Sequence, residues 1–167
     1  MKQALLTLAD YHNWTFEILY ANLAPLSNEQ YRKDVGLFFG SVHRTLNHLL
    51  VADQIWFGRC IGTPVTGIAL NTELETARDQ LQQRLLESSA RWRDLIESLD
   101  TAQLSDAITY TNMAGARFTQ PLPSLLFHVF NHGTHHRGQI SAAITACSVA
   151  APEMDLINYL RLPRSER

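Results

Sequence analysis

Apolar side chains repeat with a helical period over four long stretches of the chain. Leu5, Leu8, Tyr11, Trp14, Phe16, Ile18, Leu19 and Leu23 predict a first helix over residues 3–24. Pro25 ends it, because the residue before a proline is pushed out of the helical region. Ser27-Asn28-Glu29-Gln30 reads as an N-cap and a short helical turn. Gly36 and Gly40 punctuate the link that follows. Ser41 can cap a second helix that runs to about Cys60, and Gly62, Pro64 and Gly67 mark a loop over about 61–70. Asn71 or Thr72 then starts a third helix through Leu74, Ala77, Leu81, Leu85, Trp92, Leu95 and Ile96 to about Leu99. Arg78, Arg84, Glu87, Arg91 and Arg93 form its solvated side, and no ligand candidate stands out on it beyond Gln82 or Gln83.

Between residues 100 and 120 the helical pattern breaks. Ile108–Thr111 and Arg117–Thr119 are β-prone, and Asn112-Met113-Ala114-Gly115 is turn chemistry, so a small hairpin is expected. Pro121 suits a first helical position and opens a fourth helix to about Cys147. Asp155–Leu160 is a last apolar segment able to pack across a bundle, and Pro163–Arg167 is a tail. The fold class is all-α, with long connections and a β-hairpin inserted before the last long helix. At 167 residues the chain reads as one domain spanning 1–167.

Charge narrows the function. The net charge of -2 comes from interspersed acids and bases, so no basic patch points to nucleic acid. No stretch is apolar enough for a membrane span. The opening Met1–Leu5 lacks a signal peptide's long apolar region and is followed by Asp10. Cys60 and Cys147 are isolated and read as small core residues in a reducing compartment, so a cytoplasmic location is expected.

The candidate chemistry lies in the fourth helix. Four of the seven histidines fall between His128 and His136. His132 and His136 are four apart, so their rings stack on one helical face and can reach one cation. Leu125, Val129, Ile140 and Ala143 share that arc, which turns the pair toward the core. His128 and His135 sit roughly 60–80° off its centre. His128 belongs at the boundary and His135 in solvent or at an interface. In the second helix His48 shares an inward face with Thr45, Ala52, Ile55 and Trp56 and is the natural third ligand. His43, about 140° around that helix, points with Asn47 and Gln54 toward solvent. His12 reads as a polar-face residue, Asp53 as an interhelical ion-pair partner and Arg137 as an interhelical salt bridge. Gly133 and Gly138 read as sites of close helix approach. A di-iron bundle would need Glu-x-x-His motifs on two helices, and the chain has none.

The segments Gly40–Trp56 and Asn131–Gln139, with His48, His132 and His136 among their residues, resemble the DinB/YfiT-like family of helical metalloproteins, and the likeness extends over nearly the whole chain. The resemblance implies an up-and-down four-helix bundle in which His48, His132 and His136 bind one divalent metal, nickel or zinc by expectation. It also implies a homodimer. Family members characterised as enzymes include thiol-cofactor-dependent transferases and isomerases. Three protein ligands leave a coordination position open, the catalytic rather than the structural pattern. That position can hold a water or a thiol and deprotonate it. His128, Gln139, Trp56 and Tyr11 are candidates to shape the pocket around a small electrophilic substrate. Two functions follow. One is a metal-dependent transferase or hydrolase, with a low-molecular-weight thiol as the cofactor expected for transfer. The alternative is a non-catalytic metal- or ligand-binding bundle with a stress-response or sensing role.

Overall fold

The structure is a computed structural model that describes residues 1–163. Helix α1 spans Lys2–Leu23, with Leu5, Ala9, Phe16, Leu19 and Leu23 buried along one stripe. A short α2, Asn28–Arg32, begins at a capping box in which Ser27 and Gln30 satisfy each other's main-chain N–H groups. Helix α3, Val42–Cys60, is capped by the Ser41 hydroxyl, which accepts from the Arg44 N–H at 3.2 Å. Helix α4 spans Arg78–Ser98 and α5 spans Leu122–Ala146. Strands β1 (Ala107–Thr111) and β2 (Arg117–Pro121) form an antiparallel hairpin before α5, with Tyr110 opposite Phe118. A last turn, α6 (Leu156–Arg161), lays Tyr159 against the rings of Tyr11 and Trp14.

The four long helices close a ring. Helix α1 packs on α4 and α5, and α3 packs on the same two. The chain is thus an all-α bundle with a two-stranded insertion, as its apolar periodicity predicts. Its interior is divided along the helix axes. One apolar cluster gathers Phe16, Leu19, Leu23, Leu46, Leu50, Leu81, Leu85, Ile140 and Ile144. Another gathers Leu5, Ala9, Trp92, Ile96, Leu122, Leu126 and Phe130. On each helix the residues between the clusters include buried polar ones: His12 on α1, Asp53 on α3, Ser88 and Ser89 on α4, His136 and Arg137 on α5. A polar belt therefore crosses the middle of the bundle, where each group must find a partner inside the protein.

Three expectations change. The third helix starts at Arg78, not at residue 71 or 72, because residues 71–77 form an extended strap across α3. Asn47 holds that strap, donating to the Glu75 carbonyl at 3.0 Å and accepting the Glu75 N–H at 2.9 Å. Covered by the strap, His43 is buried rather than solvated, and its Nε2 lies 2.8 Å from Glu73 Oε1. Arg78 is not simply solvated either. It donates to the Leu26 carbonyl at 2.9 Å and also to that of Leu23, closing the end of α1. Of the expected tail, residues 164–167 lie outside the described residues. No helix of the described residues is long and apolar enough to cross a membrane.

Candidate metal centre

Helices α3 and α5 bring His48, His132 and His136 together, and one ring nitrogen from each lies within 4.8 Å of the other two. His132 is the hinge of the group. Its Nε2 stands 3.2 Å from His48 Nε2 and 3.1 Å from His136 Nε2. Two nitrogens bound to one zinc at tetrahedral angles would stand about 3.3 Å apart.

Proton positions decide what these short contacts mean. His48 Nδ1 lies 2.8 Å from the Leu70 carbonyl, which can only accept, so Nδ1 carries the proton and Nε2 is a bare lone pair. His136 Nδ1 lies 2.8 Å from Gln139 Oε1, which exposes the His136 Nε2 lone pair in the same way. The Gln139 amide nitrogen then has His135 Nε2 as its acceptor at 3.2 Å, so the amide orientation is consistent at both ends. A single proton on His132 Nε2 could serve only one of the two facing lone pairs. At least one pair of nitrogen lone pairs therefore meets with nothing between. Further protonation is opposed, since burial first, then the neighbouring histidines, lower His132 to about 3. Burial lowers His48 to about 4 and sets His136 below its ordinary value. Three neutral imidazoles that turn Nε2 toward one another, with the far nitrogens of His48 and His136 already bonded, are the donor set a divalent cation takes. The residues fit the group.

Around the triad, Phe39 stacks on His48 at 3.8 Å and 19°. Trp56 meets His128 at 4.8 Å, and His128 lies 5.7 Å from His132. His128 is exposed, at the rim. His135 is exposed and reaches the site through Gln139 at 3.2 Å and by an edge-on contact with the His136 ring at 4.9 Å. Tyr11 does not join it. Its hydroxyl donates to the Met154 carbonyl at 2.5 Å, and its ring packs near Tyr159.

Two further residues depart from their expected roles. His12 is not on a polar face but only 3 % exposed, lining a cavity of about 10 Å³ with His132, Asp53 and Trp56. The signal was present in the spacing, since the stripe Leu5, Ala9, Phe16, Leu19 and Leu23 passes through position 12. Arg137 forms no salt bridge among the described residues. Buried, it donates to His12 Nδ1 at 3.1 Å and Thr134 Oγ1 at 3.2 Å and lies over the Phe16 ring. Burial lowers it to about 10. Asp53 is the ion-pair partner expected. It meets Arg91 at 3.3 Å and also accepts from Trp92 Nε1 at 2.5 Å and from Ser88. Gly133 is a true close approach, with His12 and Arg137 against its Cα, whereas Gly138 has nothing within 4 Å of a Cβ placed there. The sequence reading missed Phe39 and the Leu70 carbonyl. A Phe-Phe pair between Gly36 and Gly40 was the signal for the first, and a main-chain acceptor on a loop leaves none.

A helical bundle with three converging histidines on two of its helices defines a class of metal-site scaffold. The family model of the DinB family matches residues 1–166, and the chain belongs to that family. It is similar to Protein DinB of Bacillus subtilis (strain 168), with 25% identity over 166 residues, covering 96% of this chain and 95% of that protein.

Proposed function

We propose that the protein is a divalent-metal-dependent enzyme that transfers a thiol to, or hydrolyses, a small electrophilic substrate. The observation that carries this reading is the convergence of three Nε2 atoms, 3.1 and 3.2 Å from His132 to its two neighbours, with the far nitrogens already committed at His48 and His136. His48, His132 and His136 would hold a zinc or nickel ion. When bound, such an ion lowers the pKa of a water or thiol in its open position. Leu70 and Gln139 fix the tautomers of two of the rings, and Phe39 fixes the plane of His48. Trp56 and His128 form the wall against which a substrate would rest. The thiol must come from outside the chain, because burial pushes the Cys60 thiol up to about 12 and Cys147 packs against the opposite core. Two free cysteines suit a cytoplasmic location, and a homodimer follows the family resemblance.

A panel of small electrophiles with low-molecular-weight thiols, run with and without added Ni²⁺ or Zn²⁺, tests the reading. Turnover that depends on metal and is lost in His132→Ala supports it. Stoichiometric metal uptake with no turnover of any panel member overturns it in favour of a binding or sensing bundle.

A further inference from the structure

Beside the centre, the 61–70 loop and the hairpin enclose a cleft of about 780 Å³ whose lining includes Arg59, Arg117, Val65, Thr109, Tyr110 and Thr111. No Asp or Glu lines it. Two other clefts of this surface set their arginines beside acids: Arg44 with Asp34 and Glu73, and Arg93 with Asp10 and Glu17. Here neither Arg59 nor Arg117 has a carboxylate in ion-pair range among the described residues.

Arg59 is held in place. Its guanidinium carbon lies 4.5 Å from the Trp56 ring centre and 4.7 Å from that of Tyr110. One Nη donates to the Thr111 carbonyl at 3.0 Å. A guanidinium has five N–H donors in a planar fork suited to oxyanions, so a pre-positioned cation keeps most of its donors unspent. Trp56 touches Arg59 on one side and His128 on the other, and His128 adjoins His132. The cleft and the histidine centre are thus linked by a continuous run of rings.

We propose that this cleft binds the oxyanion end, carboxylate or phosphate, of a small amphiphilic molecule whose other end extends over Trp56 to the histidine centre. That the molecule is the enzyme's substrate rests on the metal-dependent reading; the oxyanion site itself does not. Val65 and Tyr110 offer the apolar body a wall, and the exposed Arg117 adds positive charge to the cleft.

Titration calorimetry with phenyl phosphate, benzoate and neutral phenol tests this on the full chain, both as purified and after chelation. Phenyl phosphate or benzoate binds the metal-free chain and phenol does not, and the tighter of the two anions names the oxyanion. Arg59→Gln weakens that binding about tenfold, Arg117→Gln weakens it severalfold, and Arg44→Gln, in the separate cleft beside Asp34 and Glu73, leaves it unchanged. If Arg59→Gln does not fold by circular dichroism, exposed Arg117 decides. Phenol binding as tightly as the anions, no effect of either arginine, or loss of binding with the metal overturns the proposal. Anion binding by the metal-free chain alongside a silent electrophile panel would remove the enzymatic reading and leave the cleft standing.

Discussion

Gly133→Ala and Gly138→Ala place the same methyl group on the same helix five residues apart, with opposite consequences. At Gly133 a Cβ would meet His12 Cε1 at 2.6 Å, Arg137 Nη1 at 2.7 Å and His12 Nδ1 at 2.9 Å. Unstrained contacts between carbon atoms are about 3.5–4.0 Å, so the neighbours must yield by nearly an ångström. Both are buried, at 3 % and 2 % exposure, and each holds the other by a hydrogen bond. Overpacking of this kind costs about 1–3 kcal/mol. Alanine returns about 0.5–1 kcal/mol relative to glycine inside a helix. Gly133→Ala therefore destabilises by about 1–2 kcal/mol. At Gly138 the methyl meets nothing within 4 Å, so only the helical gain remains. The helical gain is common to both, so the two variants should differ by the overpacking cost of about 1–3 kcal/mol, a gap in Tm of roughly 3–10 °C for a chain of this size. Thermal melts of the two purified variants beside the parent measure it. A Gly133→Ala protein that melts at or above Gly138→Ala would refute the close packing of α1 on α5.

Three other outcomes follow from the belt and the histidine centre. Gln139→Leu removes the acceptor that orients His136, so competition with a chelator should show metal affinity lower by about 10–100-fold. Trp92→Phe leaves one Asp53 oxygen without its donor, and urea midpoints should fall by an amount equivalent to about 1–3 kcal/mol. His48 and His132 take up protons near 6.5 in the unfolded chain but only at about 4 and about 3 in the fold. The unfolded chain therefore gains protons first, and the metal-free protein should lose stability as pH falls from about 6.5 toward 4. Urea midpoints across that range should decline for the parent and decline less steeply for the His48→Ala/His132→Ala double variant, in which His12 and His136 still sit below their ordinary values. Equal slopes would assign the acid sensitivity to other groups.

The bundle was legible because its local signals are strong and agree with one another. Ser27 and Ser41 cap the helices their positions predict, Asn112–Gly115 turns the hairpin, and the phase of α5 turns His132 and His136 inward. What was hidden depends on partners distant in sequence. Leu74 and Ala77 continue the periodicity of α4 backwards, yet Asn47, 28 residues from Glu75, holds that stretch extended. His43 looked solvated because the strap that buries it was itself read as helix. Arg137 looked like half of a salt bridge, since a buried arginine satisfied by an imidazole, a hydroxyl and aromatic faces has no sequence signature. The Leu70 carbonyl, which sets the His48 tautomer, is a main-chain atom on a loop and carries none either.

The metal centre requires that the three imidazoles of His48, His132 and His136 share one ion. Elemental analysis of the purified chain, with His48, His132, His136, His43 and His135 each replaced by alanine, measures it directly. One equivalent of divalent metal should be retained by the parent and by the His43 and His135 variants, and lost from the other three. Full metal content in His132→Ala, or its loss in His135→Ala alone, would contradict the centre described here.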